Sequence, residues 1–241
     1  MRIAAMGDLH FGASSLKTFT ALFKSVNDEA DIMVLCGDLT MRGLLEEARS
    51  LSEAISGANI PILAVLGNHD HEANNQEEIM DILGSAGMKM LERGPYVTED
   101  GKFGFVGTKG FCGGFTGCKI APFGERILKM FINETFKEAN TVNRALKTLK
   151  ADFKVVVYHY APIRETCIGE NCELLPFLGS SILSDPPDTF NANLVLHGHA
   201  HHGCERGHTE TGIPVRNVAL PIHNKKYVVY DTASFSDHKH V

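Results

Sequence analysis

Ile32-Met33-Val34-Leu35-Cys36-Gly37-Asp38 is the stretch that decides the fold. Its five apolar residues carry no polar interruption, which reads as a strand buried on both faces. The run then stops at a glycine and a carboxylate. The same figure stands on either side of it. Ile3–Met6 runs into Gly7-Asp8, and Ile62–Leu66, led in by Pro61, runs into Gly67-Asn68. Helical spacing of apolar residues fills the intervals: Leu16–Ala30 after Ser14-Ser15, Leu44–Ile55 ending at Gly57, and Glu77–Ala86 closed by Gly87. Strand, helix, strand, helix, strand is the rhythm of a parallel sheet with helical crossovers.

Further along, the elements shorten. Met88–Leu91, Tyr96–Thr98 and Phe103–Val106 read as a series of short strands, and Thr108–Gly117 as a glycine-rich loop. Phe123–Lys150 reads as helix in two pieces, an amphipathic cover over a sheet in preference to a lid. Phe153–Tyr158 and Leu194–Leu196 are apolar runs that feed straight into histidines. Val215–Val218 and Tyr227–Tyr230 read as closing strands, and polar Ser234–Val241 as a frayed tail. No internal repeat or linker interrupts the chain, so residues 1–241 are expected to form a single domain.

The 241 residues are 44% hydrophobic and carry a net charge of −6, which excludes disorder and disfavours a dedicated nucleic-acid or anionic-membrane binder. No run approaches the roughly 18 uninterrupted apolar residues of a membrane span. The short start Met1–Met6 lacks the features of a signal peptide, so a cytoplasmic protein is expected. None of the six cysteines forms a Cys-x-x-Cys pair, and free thiols are the expected state. The sharper alternative joins Cys112 with Cys118 and Cys167 with Cys172 across two loops.

Residues that bind divalent metals stand just beyond the C-terminal ends of the apolar runs, where open α/β sheets build their ligand crevice. They are Asp8 and His10, Asp38, Asn68, His159, and His199 with His201. Asp38 has two carboxylate oxygens and can bridge two ions. Asn68 offers a neutral oxygen, and the two His pairs can divide between the ions. Two ions about 3.5–4 Å apart would grip a phosphate and generate a hydroxide nucleophile. His69 is left over as a group able to protonate a leaving alkoxide. The glycines at 7, 37, 67 and 198 are expected to permit the sharp turns required there.

Asp8-x-His10, Gly37-Asp38, Gly67-Asn68-His69-Asp70, His159 and Gly198-His199-x-His201, in that order, resemble the calcineurin-like metallophosphoesterase family. The resemblance spans residues 8 to 201. It implies a four-layered α/β/β/α sandwich of two mixed β-sheets flanked by helices, with the metal site at the C-terminal ends of the strands. It also implies two divalent metal ions. Asp8, His10, Asp38 and His201 would hold the first, and Asp38, Asn68, His159 and His199 the second. His69 would be the acid or a clamp on phosphate. The ligand types suit Mn²⁺, Fe, Zn²⁺ or Ni²⁺, with Mn²⁺ favoured.

Departures from the pattern narrow the branch. Protein phosphatases of the family carry Gly-Asp-x-x-Asp-Arg-Gly. Here Met41 stands where the carboxylate that orients the histidine would be, and Leu66 and Asp70 replace the flanking Arg and Glu. The chain is closer to small prokaryotic members that act on small phosphorylated molecules. A nuclease, a protein phosphatase and a metal-binding scaffold without activity are the alternatives. The complete ligand set and His69 weigh against the scaffold, and the lack of a basic groove weighs against the nuclease. Arg42 reads equally well as a surface residue of a turn or as a phosphate clamp. Asp70 reads as structural, and His71, His197, His202 and His223 as possible lining of the crevice. Segments 108–119 and 163–175 are expected to form a rim that selects substrate.

Overall fold

The computed structural model describes residues 1–12, 14–223 and 226–239. Lys225, expected in a loop, and residues 240–241 of the expected tail lie outside them.

The chain builds two mixed sheets. The first contains β1 (Arg2–Met6), β2 (Ile32–Cys36), β3 (Ile62–Val65) and β4 (Lys89–Met90). The second contains β5 (Tyr96–Val97), β6 (Phe103–Gly107), β9 (Phe153–Val157), β10 (Leu194–His197), β11 (Arg206–His208) and β12 (Pro214–Asn217). A small hairpin, β7 (Gly114–Phe115) with β8 (Cys118–Lys119), lies apart, and β13 (Val228–Asp231) returns to the first sheet. The strand orders are β13-β1-β2-β3-β4 and β11-β12-β10-β9-β6-β5. Each sheet is parallel except at its edges: β13 runs against β1, β5 against β6 and β11 against β12.

The side-chain period of two divides the strands into layers. Ile3, Ala5, Val34, Leu63 and Val65 of the first sheet meet Phe105, Val155, Val157, Leu194 and Leu196 of the second. Their alternates, Ala4, Met6, Met33, Leu35 and Ala64, pack under α1 (Leu16–Glu29), α2 (Leu45–Ala54) and α3 (Gln76–Ser85). On the far side, Val106, Val156, Val195 and Val215 pack with Ala139, Val142 and Leu146 of α4 (Arg126–Thr148). Helices therefore cover both outer faces, and the architecture is α/β/β/α. Two short helices, α5 (Leu175–Leu178) and α6 (Asp185–Thr189), complete the second half.

Three expectations change. Residues 126–148 form one helix, not two pieces, because no glycine or proline interrupts them. The expected glycine-rich loop 108–117 contains β7 and turns into its partner β8, with Phe115 buried. The expected tail is docked at its start: residues 232–239 form 3₁₀ turns, and Phe235 is buried against the Tyr230 ring, 6.0 Å between centroids. All six cysteines are free thiols, so neither loop pair is bridged.

Candidate metal centre

Strands β1, β2 and β3 of one sheet and β9 and β10 of the other end at the same edge. Main-chain bonds then tie their loops together. Asp8 N–H donates to Gly37 O (3.0 Å), His10 N–H to Asp38 O (2.9 Å) and Gly198 N–H to His159 O (3.1 Å). The glycines contribute mainly by lacking a side chain. A Cβ on Gly67 would overlap Asp38, and one on Gly198 would lie 2.5 Å from Asp8 Oδ2. Only Gly37 of the four expected turn glycines has a positive φ.

The strained positions are the functional ones. Six described non-glycine residues have positive φ, and four are Asp8 (60°), His10 (42°), Asp38 (49°) and His199 (67°). Left-handed backbone costs each such residue of the order of 1–3 kcal/mol, and such strain persists where a site requires the geometry.

The side chains converge on this edge. Asp8, His10 and His201 form one group whose donor atoms lie within 4.8 Å of one another; Asp38, His159 and His199 form a second, and His10, Asp38 and His69 a third. Asp38 and His10 thus each belong to two groups. Asn68 joins through Oδ1, 2.9 Å from His159 Nε2. His201 Nε2 lies 2.8 Å from Asp8 Oδ1, His159 Nε2 3.4 Å from Asp38 Oδ1, and His10 Nε2 3.8 Å from Asp38 Oδ2. Two donors each about 2.1 Å from one ion are about 3.0 Å apart at a right angle and about 3.4 Å at the tetrahedral angle. Most of these separations match that spacing.

The hydrogen bonds also fit a cation. His159 Nδ1 donates to Cys36 O (2.9 Å), and in the tautomer with its one proton there, Nε2 is a bare acceptor facing the Asn68 carbonyl oxygen at 2.9 Å. Two acceptors facing each other are unfavourable until a cation shares them. His10 Nδ1 is buried with no hydrogen-bond partner among the described residues. Ligand imidazoles must be neutral, and burial helps: it pushes the His199 pKa down to about 3. Burial likewise lowers His10, against the pull of Asp38 and Asp8. For Asp8, burial acts upward, but the His201 hydrogen bond and the surrounding imidazoles outweigh it and hold the carboxyl below its ordinary value. His201 is raised by its bond to Asp8.

His69 sits on the exposed side of this cluster, its ring centroid 4.5 Å from that of His10. Its N–H donates to Asp38 Oδ1 (2.9 Å), and its Nδ1 donates to the main-chain oxygen of Met41 (2.7 Å). The position without a carboxylate therefore still holds the ring, through its backbone. Arg42 is exposed, with its N–H bonded to Glu47 Oε2 (2.9 Å). No protein partner of its guanidinium is found among the described residues.

Several supports carry little sequence signal. Asp70 is fully buried and accepts from Leu39 N (3.1 Å), Thr40 N (2.8 Å), Thr40 Oγ1 (2.6 Å) and Gly67 N (2.7 Å), so it clamps the Asp38 loop to the Asn68 loop. Burial, with Asp38 nearby, raises its pKa to about 6. Asn217 Nδ2 donates to Ala200 O (2.8 Å) and holds the His199–His201 turn. Glu92 accepts from Leu66 N (2.7 Å) behind Gly67. The Tyr160 ring lies 4.4 Å from that of His199. Of the other histidines, His197 is a buried structural residue bonded to Gly198 O and Thr166 Oγ1 (both 2.8 Å). His223 bonds Asn217 O (2.9 Å), and His202 N–H bonds Glu170 (2.7 Å).

The sequence profile of the calcineurin-like phosphoesterases matches residues 1–203. The chain belongs to this family. Members of the family are phosphoesterases that use divalent metals, and the Asp/His clusters above could hold such ions. Among solved structures, phosphopantetheinyl hydrolase from Mycobacterium tuberculosis is similar, with TM-score 0.66 and 16% identity over 91% of this chain and 89% of that one. GAP50, the anchor in the inner membrane complex of Plasmodium, matches with TM-score 0.57 and 15% identity over 92% of this chain and 72% of that one. A purple acid phosphatase from yellow lupin seeds matches with TM-score 0.53 and 14% identity, over 94% of this chain and 46% of that one. At such identities the likeness is one of fold. No curated protein sequence matches the chain significantly.

Proposed function

We propose that this family member is a two-metal hydrolase of phosphate esters, a phosphodiesterase or phosphatase acting on a small phosphorylated molecule or nucleotide. The carrying observation is the pair of donor groups Asp8/His10/His201 and Asp38/His159/His199, joined through Asp38 and His10. In this reading Asp8, His10, Asp38 and His201 hold one divalent ion. Asp38, Asn68, His159 and His199 hold the other. Mn²⁺ is favoured, and Fe, Zn²⁺ or Ni²⁺ suit the same donors. Two such ions supply Lewis-acid stabilisation of phosphoryl oxygens and a nucleophile at neutral pH.

The protein's own groups do the rest. Burial keeps His199 unprotonated and ready to ligate. His69, with Nδ1–H tied to Met41 O, presents Nε2 to the site; in the doubly protonated form of the ring, Nε2–H hands its proton to the departing alkoxide and Nδ1–H stays on Met41 O. Arg42, whose guanidinium has no acid partner among the described residues, reaches the anionic substrate as a clamp. Asp70 keeps the loops in register. A protein-phosphatase activity gains no support from Met41 and Leu66, and a net charge of −6 favours small substrates over nucleic acid. Six free thiols suit a reducing compartment, the cytoplasm.

The test is a metal-reconstituted screen of p-nitrophenyl phosphate, bis-p-nitrophenyl phosphate and a nucleotide panel. Turnover restored by Mn²⁺ and abolished by Asp38→Ala is expected. A folded protein inert with all four metals on every substrate would overturn the reading in favour of a scaffold.

A further inference from the structure

His10 touches two imidazoles. Its ring stands nearly perpendicular to that of His201, 5.6 Å between centroids at 79°, and to that of His69, 4.5 Å at 77°. Neither nitrogen of the His10 ring is hydrogen-bonded among the described residues: Nδ1 is buried without a partner, and Nε2 stands 3.8 Å from Asp38 Oδ2. His10 belongs with Asp8 and His201 in one donor group and with Asp38 and His69 in another, each with its donor atoms within 4.8 Å of one another. The first ion proposed above uses the Asp8 and His201 side. The His69 side has no role in that reading beyond the acid.

The His69 ring is set up as a donor. Its Nδ1–H is held by Met41 O (2.7 Å), so the neutral ring carries its lone pair on Nε2. Its main-chain N–H bonds Asp38 Oδ1 (2.9 Å), which fixes the base of the side chain beside the shared carboxylate. The side chain is 36% exposed, so the fourth position of an ion held there is open to water or phosphate. Two imidazoles, one carboxylate and an open position make a donor set that zinc accepts in catalytic sites. The two seats differ in chemistry. Beside Asp8, His201 and Asp38, an ion meets two carboxylates and two imidazoles, which serves the harder Mn²⁺. Beside His69 it meets two imidazoles and one carboxylate, which suits Zn²⁺ or Ni²⁺ better. His10 and Asp38 are common to both seats, so one ion takes one seat or the other and no third ion is added.

We infer that His69 is a ligand as well as an acid: His10, Asp38 and His69 form a second seat for the first ion, one that selects zinc-like ions and silences the centre. The inference rests on the phosphoesterase reading above and adds a metal-selective inhibition of the same site. The inhibition follows from the single free lone pair of the ring. With Nδ1–H committed to Met41 O, Nε2 either binds the ion or takes up the proton meant for the leaving alkoxide, and it cannot do both.

The direct readout is the nitrogen NMR spectrum of histidine-labelled protein, which needs no turnover. Zn²⁺ should move His69 Nε2 from the position of a bare acceptor to that of a metal-bound nitrogen, and Mg²⁺ should leave it unmoved. Calorimetric titration of two variants separates the seats. His201→Asn keeps the His69 seat and should still bind two Zn²⁺ per chain but one Mn²⁺. In His69→Asn the Zn²⁺ affinity should fall about a hundredfold, while Mn²⁺ affinity stays within about twofold. Zn²⁺ added to the Mn²⁺ protein should slow an alkyl phosphate ester about tenfold more than p-nitrophenyl phosphate, whose good leaving group needs no acid. A His69 resonance that ignores Zn²⁺, or a Zn²⁺ affinity unchanged in His69→Asn, would overturn the inference and leave the phosphoesterase reading standing. Zinc on His69 in a protein that hydrolyses no ester with any metal would overturn that reading and leave the seat.

Discussion

Gly67→Ala is the substitution whose outcome follows most directly from the geometry. An ideal Cβ at Gly67 would lie 2.8 Å from Asp38 Cγ, and closer still to Asp38 Oδ1 and the Asp38 main-chain nitrogen. Ordinary carbon–carbon contact is about 3.5–4.0 Å, so something must move by at least about 0.7 Å. A rotamer change cannot relieve the overlap, because one of the opposing atoms is backbone. The Asp38 loop must retreat, and it carries the carboxylate that belongs to two donor groups and accepts from His69 N. Overpacking of this kind costs about 1–3 kcal/mol of stability. Displacing a reacting group by about 1 Å costs up to about a hundredfold in rate. Urea unfolding, metal content and kcat on bis-p-nitrophenyl phosphate would read the three effects. Gly84→Ala in α3 is the control: nothing lies within 4 Å of its Cβ, and the exchange should stabilise by about 0.5–1 kcal/mol. A Gly67→Ala protein with unchanged stability and full metal content would show that the Asp38 loop does not have to move.

His69→Ala should retain its metal while losing about 10²–10⁴ in kcat on an ester with a poor leaving group; a full rate there would remove the acid role. Asp70→Ala orphans three buried N–H donors at about 1–3 kcal/mol each, so a loss of about 3 kcal/mol or more is expected in urea unfolding, and a loss under 1 kcal/mol would contradict the clamp. Glu92 has an Oε2 sealed from water and without a partner among the described residues, and burial raises its pKa from 4.5 to about 8. The folded state then holds a proton that the unfolded chain releases. The favourable contribution is complete below pH 4.5 and lost as pH climbs toward 8, at up to about 1.4 kcal/mol per unit. Glu92→Gln keeps the acceptor for Leu66 N and should flatten the fall of Tm between pH 5 and 8; parallel profiles would contradict the assignment.

The first sheet was legible because β1, β2 and β3 are uninterrupted apolar runs between helices with clear periodicity. The strands after β3 were harder to read, since two-residue pieces such as β4, β5 and β7 have no period of their own and exist only through pairing. The end of the chain misled because a single aromatic, Phe235, anchors an otherwise polar segment. At the site, residue types and their position after strands were readable. Their backbone strain was not: Asp8, His10, Asp38 and His199 adopt positive φ through tertiary bonds between loops more than a hundred residues apart in some cases. The hold on His69 was also hidden, because it comes from the Met41 main chain and not its side chain. Asn217, Glu92 and Tyr160 support the centre from positions that read as ordinary strand, turn and core.

In the proposed centre one shared carboxylate, that of Asp38, organises two ions. Metal content per chain, measured by elemental analysis after reconstitution with Mn²⁺, tests it most directly when wild type and Asp38→Ala are compared. Two ions per chain are expected in the wild type, and loss of both, together with activity, in the variant. A wild-type protein that hydrolyses phosphate esters at full rate with a single ion, or a variant that keeps both, would contradict it.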